Sequence, residues 1–445
     1  TDDGRAFGES LMDEGADVIM PVAGPVGLGT AAAIQERGGA WIVGVDTDWT
    51  VSAPEFADIV LTSVLKRLDT AVYSASEATV NGTFEGGLWI GDLANDGVGI
   101  SDPAVAVDGL DAIIDGIIAG SIPTHPGQEM MAESMVDGSG AKVCQITDVG
   151  GIDDKSFNAT AWLGVELSVE QFGVEGKFLE SQQQADYEKN IDAFIGDACD
   201  LIVTVGFLLG DATAAAAEAN PDQDFVILDF AYDPAYDNVQ GVVFASNQNA
   251  FLAGYAAATA TESGIVATYG GINIPPVTDF MDGYVLGVNY YNEQNGTNVQ
   301  VLGWDVDAQD GLFTGNFEST DDGRAFADSL MDEGADVIFP LAGAANIGTA
   351  SAVQERGGAW VIGVDSDFAA VLPEFADVIF MSTLKRLDTA VVSATKAKLK
   401  GEFEGGIWIG TLENDGVGIT TPTIEIPGLE DVRAAIIAGD IVTTP

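Results

Sequence analysis

Residues 142–162 read KVCQITDVGGIDDKSFNATAW, and the fold follows from how that stretch divides. An apolar run from Val143 to Ile146 ends in Thr147-Asp148. Gly150 and Gly151 break the pattern, and Asp153 and Asp154 stand before Lys155-Ser156-Phe157, where a helical spacing begins. Strand, glycine turn and capped helix, in this order, open a doubly wound α/β lobe. Ligands in such lobes sit at the carboxyl ends of the strands, which predicts that Asp148, Phe157 and Asn158 face a crevice. Taken alone, the same residues are equally well explained as an acidic helix cap and a core phenylalanine. The glycines do not spell GxGxxG, so a dinucleotide site is not indicated.

Outward from this stretch, strands and helices alternate. Apolar runs at 143–147, 177–179, 201–205, 225–228 and 239–244 read as strands, with helices at 157–172, 187–195 and 211–219 among them. A helix at 249–261 leads towards a second lobe. Its strands are read at 265–269, 299–302, 337–339 and 360–364, and its helices at 280–291, 323–332 and 348–356. A strand at 378–381 and a helix at 387–398 are expected to return to the first lobe. Such alternation implies parallel sheets covered by helices on both faces.

The chain also repeats itself. Residues 1–126 match residues 320–445 without a gap, at an offset of 319. About 60% of the positions are identical, more than a shared fold alone would give. TDDGRAF, SLMDEGADVI, QERGGAW, LKRLDTAV and NDGVGI mark both copies. Residues 1–126 are thus the second half of a larger unit, residues 127–140 a linker, and residues 141–445 the complete unit. Within that unit, lobe I is expected at about 141–262 and 378–400, and lobe II at about 263–377 and 401–445. The only histidine, His125, lies beside the linker. Residues 1–126 carry Asp46 and Lys66, the counterparts of Asp365 and Lys385, but no counterpart of Asp148, Phe157, Asp229 or Phe317. They hold half a site, with open sheet edges and an uncovered apolar face. Another polypeptide is expected to complete residues 1–126.

At 445 residues the chain has room for two or three domains, and 47% hydrophobic residues place it among globular proteins. With 70 acidic and 16 basic residues the formal charge is −54. That argues against nucleic acid as a partner and against an anionic membrane surface. It suits high salt, divalent cations or colloidal repulsion outside a cell. No stretch reaches the length of a transmembrane helix. The two cysteines, Cys144 and Cys199, stand at the starts of strands that a doubly wound sheet places side by side. A disulfide is expected, as suits an extracytoplasmic protein, with two buried thiols as the alternative.

Strand ends carry a consistent set of residues: Asp148, Gly206-Phe207, Asp229, Asn316-Phe317, Asp365 with Asp367, and Lys385. Carboxylates with a lysine and aromatics suit a flat ring bearing a hydroxylated sugar, the aromatics stacking on the ring and the carboxylates accepting from hydroxyls. Each residue alone is also an ordinary cap, core side chain or ion pair. There is no GxSxG, P-loop, HExxH or CxxC, and no EF-hand spacing. A lone histidine leaves little for histidine-based acid–base or metal chemistry. Neither enzyme activity nor a cofactor or metal is expected.

DVGGIDDKSFN, GFLLGDA, GGINIPPVTDFMDGY, GNFESTDDGRAFADSLMDEGADVIF, VIGVDSD and STLKRLDTAV together resemble the basic membrane protein family. These are extracytoplasmic solute-binding proteins of ABC importers and include purine nucleoside receptor lipoproteins. The resemblance covers 141–445, and its second half covers 1–126 again. It implies a type I periplasmic-binding-protein fold, two Rossmann-like lobes joined by three crossings and closing on a ligand. By resemblance, Phe157 and Phe317 stack a nucleoside base, Asp148, Asn158 and Asp229 face the ligand from the first lobe, and Asp365 and Lys385 hold the ribose. The expected function is extracytoplasmic capture of a nucleoside or similar small molecule for an ABC permease. The alternative is a cell-surface structural protein, a tandem or filamentous assembly of such domains.

Overall fold

The computed structural model describes residues 2–81, 91–95, 97–107, 109–118, 122 and 136–445. They form two compact units, Thr1–Met135 and Val136–Pro445. His125 and residues 127–135 of the expected linker lie outside the described residues.

The first unit contains α1 (Asp2–Asp13), β1 (Val18–Ile19), α2 (Gly27–Arg37), β2 (Trp41–Asp46), α3 (Trp49–Ser52), β3 (Val60–Lys66), α4 (Leu68–Asn81), β4 (Val98–Ile100) and α5 (Leu110–Ile118). Among the described residues its sheet runs β1-β2-β3-β4. The first three strands are parallel and β4 runs against β3. A small core gathers Ile19, Ile34, Ile42, Trp49, Phe56 and Val60.

The second unit opens with β5 (Lys142–Ile146), α6 (Phe157–Phe172), β6 (Glu175–Leu179), α7 (Tyr187–Gly196), β7 (Leu201–Val205), α8 (Gly210–Ala219), β8 (Asp224–Leu228) and β9 (Val239–Phe244). The chain then crosses to α9 (Ser246–Ala260), β10 (Ile265–Gly270), α10 (Pro275–Asn295), β11 (Gln300–Leu302) and a small hairpin, β12 (Trp304–Asp305) and β13 (Asp310–Gly311). It continues through α11 (Thr320–Asp332), β14 (Val337–Leu341), α12 (Ala345–Arg356), β15 (Trp360–Gly363), α13 (Phe368–Val371) and β16 (Ile379–Lys385). Last come α14 (Leu387–Lys400), β17 (Gly406–Gly410), β18 (Val417–Ile419) and α15 (Leu429–Ile437).

One sheet has the order β17-β9-β8-β7-β5-β6 and is parallel throughout. The other has the order β11-β10-β14-β15-β16-β18, with only β18 antiparallel. The chain passes between the sheets after β9, after β16 and after β17. Parallel strands need crossovers, and the buried helices supply them. Local signals set the helix ends. Ser319 accepts from the Asp322 amide at 3.1 Å to open α11. Pro275 starts α10, and Gly296, at φ 65°, stops it. Where α9 crosses α10 the backbones touch: a Cβ on Gly254 would lie 2.0 Å from the Tyr284 carbonyl oxygen.

Three expectations about the lobes need correction. The strand read at 378–381 is β16 and belongs to the second sheet, whereas the helix after it, α14, does return to the first lobe and packs on α6. Residues 406–410, assigned to lobe II, form the edge strand β17 of the first sheet. Helix α9 does not merely lead towards the second lobe but packs on it, with the Phe251 ring 5.6 Å from Tyr290 of α10. Sheet membership depends on a strand's distant partners, not on its own apolar pattern, and β16 is buried on both faces like the central strands β5 and β7 of the first sheet. Cys144 on β5 and Cys199 just before β7 are joined as a disulfide, their Cα atoms 6.1 Å apart, because β5 and β7 are neighbours.

Candidate functional site

The carboxyl ends of β5, β7 and β8 in one sheet and of β14, β15 and β16 in the other meet across a narrow cleft of about 80 Å³. Asp148, Phe157, Asn158, Asp229, Phe317, Asp365 and Lys385 all line it.

The opening stretch builds one wall. Asp148 accepts from the Gly150 amide at 2.9 Å and from Asn158 Nδ2 at 2.8 Å. Asp154 caps α6, accepting from the amides of Ser156, Asn158 and Ala159 at 3.0, 2.8 and 3.0 Å. Burial raises both carboxyls. Asn158 and Gly150 partly offset this at Asp148, and Asp154 is held at about 6 in spite of its three amide donors. Two carboxylates occupy the amide nitrogen of Asn158, which leaves its Oδ1 buried and without a partner.

Lys385 bridges the walls. Its Nζ lies 2.7 Å from Asp229 Oδ2 and 3.9 Å from Asp365 Oδ1, with the lysine side chain 3% exposed. The rings of Phe157, Phe244 and Phe280 surround it at 5.2, 5.4 and 5.1 Å. Burial pushes the ammonium down, but Asp229, Asp365 and Asp279 outweigh it and the net shift is upward. Asp365 is raised to about 6 by burial, against the pull of Lys385. Ser156 Oγ donates to Asp365 Oδ2 at 2.9 Å, and Ser366 Oγ to the Lys155 carbonyl at 3.1 Å. These bonds and the Lys385–Asp229 pair join the lobes directly. Asp229 and Asp365 both sit at positive φ, 63° and 66°, a conformation that is uncommon outside glycine and clusters at functional sites.

A pH dependence follows from Asp154 and Asp365. A carboxyl whose folded pKa exceeds its unfolded value of about 3.9 supports folding below that value and loses the support as pH rises through its folded pKa. With both at about 6, the unit Val136–Pro445 is expected to gain stability from pH 8 to pH 5. The gain over that range is about 1.4 kcal/mol per group. Denaturant titrations of the chain and of Asp365→Asn at both pH values check this. A gain undiminished in Asp365→Asn removes Asp365 from the account.

Not every strand-end residue singled out in the sequence reaches the cleft. Asp367 caps α13, accepting from the Ala370 amide at 3.3 Å, and Asn316 accepts from the amides of Glu318 and Ser319 at 3.0 and 2.8 Å. Phe207 does line the cleft. So do Asp154, Pro276, Val277, Phe280 and Gly343, which the sequence reading did not select. The acidic cap position was a signal for Asp154; nothing local marks the others.

The family model described as ABC transporter substrate-binding protein PnrA-like matches residues 1–114 and again residues 141–433. The chain belongs to this family. The ABC transporter nucleoside-binding protein BmpA of Lactococcus lactis subsp. cremoris is 30% identical over 321 residues, spanning 67% of this chain and 88% of the relative. An uncharacterized lipoprotein of Pyrococcus furiosus is 31% identical over 330 residues, spanning 72% and 77%. Among solved structures, an ABC transporter solute-binding protein from Aeropyrum pernix superposes with a TM-score of 0.61 at 30% identity, covering 68% of this chain and 92% of that one. No helix among the described residues is long and apolar enough to cross a membrane.

Proposed function

We propose that the unit Val136–Pro445 binds an uncharged nucleoside and delivers it to an ABC permease outside the cytoplasm. The observation that carries the reading is the balance of groups in the cleft. Among its described lining residues Lys385 is the sole base, and Asp229 and Asp365 already neutralise it. What remains is acceptors: Asp148, the free Asn158 Oδ1 and the carboxylates on either side of Lys385. Sugar hydroxyls and the N–H groups of a base are the donors that such a surface lacks. Phe157, Phe280 and Phe317 supply apolar faces for a flat ring. A phosphate would meet several buried carboxylates, so the same cleft disfavours nucleotides. The name of the Lactococcus lactis relative, nucleoside-binding, agrees, and the lipoprotein relative fits a place outside the membrane.

Calorimetry with a panel of nucleosides and their monophosphates tests the reading. At least one nucleoside is expected to bind, its monophosphate to bind far more weakly, and Phe157→Ala to weaken binding by about 1–3 kcal/mol. Heat with no nucleoside, or equal affinity for the monophosphate, would sink the proposal.

A further inference from the structure

Helix α6 is capped from an unusual place. A serine at the N-cap ordinarily accepts from an amide of the first turn. Ser156 holds that position but makes no such bond. Asp154, two residues earlier, takes the amides of Ser156, Asn158 and Ala159 instead. The Ser156 hydroxyl is thereby free to reach the other lobe. Fully buried, it lies 2.9 Å from Asp365 Oδ2 and 3.2 Å from the Val364 carbonyl oxygen.

The receiving side is a tight turn. The Ser366 amide donates to the Val364 carbonyl at 2.8 Å around Asp365, whose φ is 66°. A three-residue turn about a positive φ is the rarer, strained form of γ-turn. It presents three groups in a row to the start of α6: the Val364 carbonyl, the Asp365 carboxylate and the Ser366 hydroxyl. Ser366 Oγ donates back to the Lys155 carbonyl at 3.1 Å. Each lobe thus gives one hydroxyl to the other along a single seam. Neither serine is among the described residues that line the cleft.

The crossings between the lobes are bonded independently of this seam. Asn249 Nδ2 donates to the Leu384 carbonyl at 2.9 Å and to that of Gly418 at 3.1 Å, and Gln248 Oε1 accepts from the Leu412 amide at 2.9 Å. Lys385, whose pair with Asp229 also joins the lobes, sits at a crossing itself, at the end of β16. In the first sheet, β5, which leads into Ser156, stands three places from the crossing strand β9. The lobes can part at the seam while the crossings stay tied.

We propose that Ser156 and Ser366 form a latch that closes the lobes by the protein's own bonds and gates entry and exit of the ligand alike. Because the latch lies outside the cleft, it favours the closed form whether the cleft is filled or empty. A contact that favours both forms equally does not shift the affinity between them. It holds both shut, and so slows binding and release together.

The test uses the full chain, whose native cysteines are paired. Spin labels at Gln182→Cys in the first lobe and Glu318→Cys in the second, both exposed positions, report the separation of the lobes without ligand. One dominant short distance is expected. Ser156→Ala and Ser366→Ala are each expected to move population to longer distances. Ser366→Thr keeps the hydroxyl, as Thr47 does at the matching place of the repeat, and is expected to leave the distribution as it was. Unchanged distributions in both alanine variants overturn the latch. Stopped-flow mixing with adenosine, guanosine, cytidine and uridine in turn then measures the gating; this arm alone rests on the nucleoside reading. For a nucleoside that binds, the alanine variants are expected to raise the on-rate and the off-rate each by about 3–10-fold, with affinity kept within about twofold. A faster off-rate with an unchanged on-rate overturns the gating, because the serines then act on the filled form only. If no nucleoside binds, the nucleoside reading falls and the distances alone decide the latch.

Discussion

Lys385→Met is expected to lower the stability of the unit Val136–Pro445 by about 3–5 kcal/mol and to abolish ligand binding. The methionine keeps the stem and removes the ammonium. Asp229 Oδ2, 2.7 Å away, and Asp365 Oδ1, at 3.9 Å, then remain buried without a cation. Removing one partner of a buried pair is far more damaging than the pair itself is stabilising. The three phenylalanine rings around Nζ supply no cation in its place. Without the lysine the carboxyl of Asp365, already raised to about 6, rises further. The deficit should therefore be larger at pH 8 than at pH 5, where protonation relieves it. Lys385→Arg is expected to be nearly as damaging, because a planar fork does not fit a cage shaped for a point charge. Urea titrations at the two pH values measure all of this. A deficit under about 1 kcal/mol, or one that does not shrink at low pH, contradicts the account.

Reduction of the Cys144–Cys199 disulfide is expected to lower the stability of the same unit by about 2–5 kcal/mol. The bond closes a loop with a sequence separation of 55, long enough for a sizeable entropy loss in the unfolded chain. Both cysteines belong to an apolar cluster with Ile146, Tyr187, Ile191 and Phe225, so the reduced thiols stay buried and little native packing is lost. Unfolding curves with and without reductant give the difference. Labelling of the unfolded, unreduced chain gives the bond itself: two reactive thiols there would contradict it.

The lobes were legible because buried parallel strands read as short apolar runs and the crossover helices read at their own period. The cleft acids were legible because a strand's last residue faces the ligand side of such a sheet. Position could not separate Asp365, which lines the cleft, from Asp367, two residues on, which only caps a helix. The difference lies in backbone conformation, φ 66° at Asp365, and aspartate takes either conformation. Strand β17 was missed because GIWIG is short, flanked by glycines and half exposed at Ile407 and Ile409. Only its pairing with β9, more than a hundred residues earlier, makes it a strand. The same distance hid Phe280 and the bond from Ser156 to Asp365, which no local pattern connects.

The buried lysine also divides the molecule into two electrostatic regimes. Outside, a formal charge of −54 is spread over the chain and acts through water. Raising the ionic strength from about 0.1 to 1 M shortens the screening length from roughly 10 to 3 Å and quiets that mutual repulsion. Inside, Lys385 and its two aspartates are buried, so salt screens their attraction much less. Salt that steadies the shell leaves the lock between the lobes unchanged. The contact between the lobes is therefore expected to weaken far less with salt than any pairing on the surface.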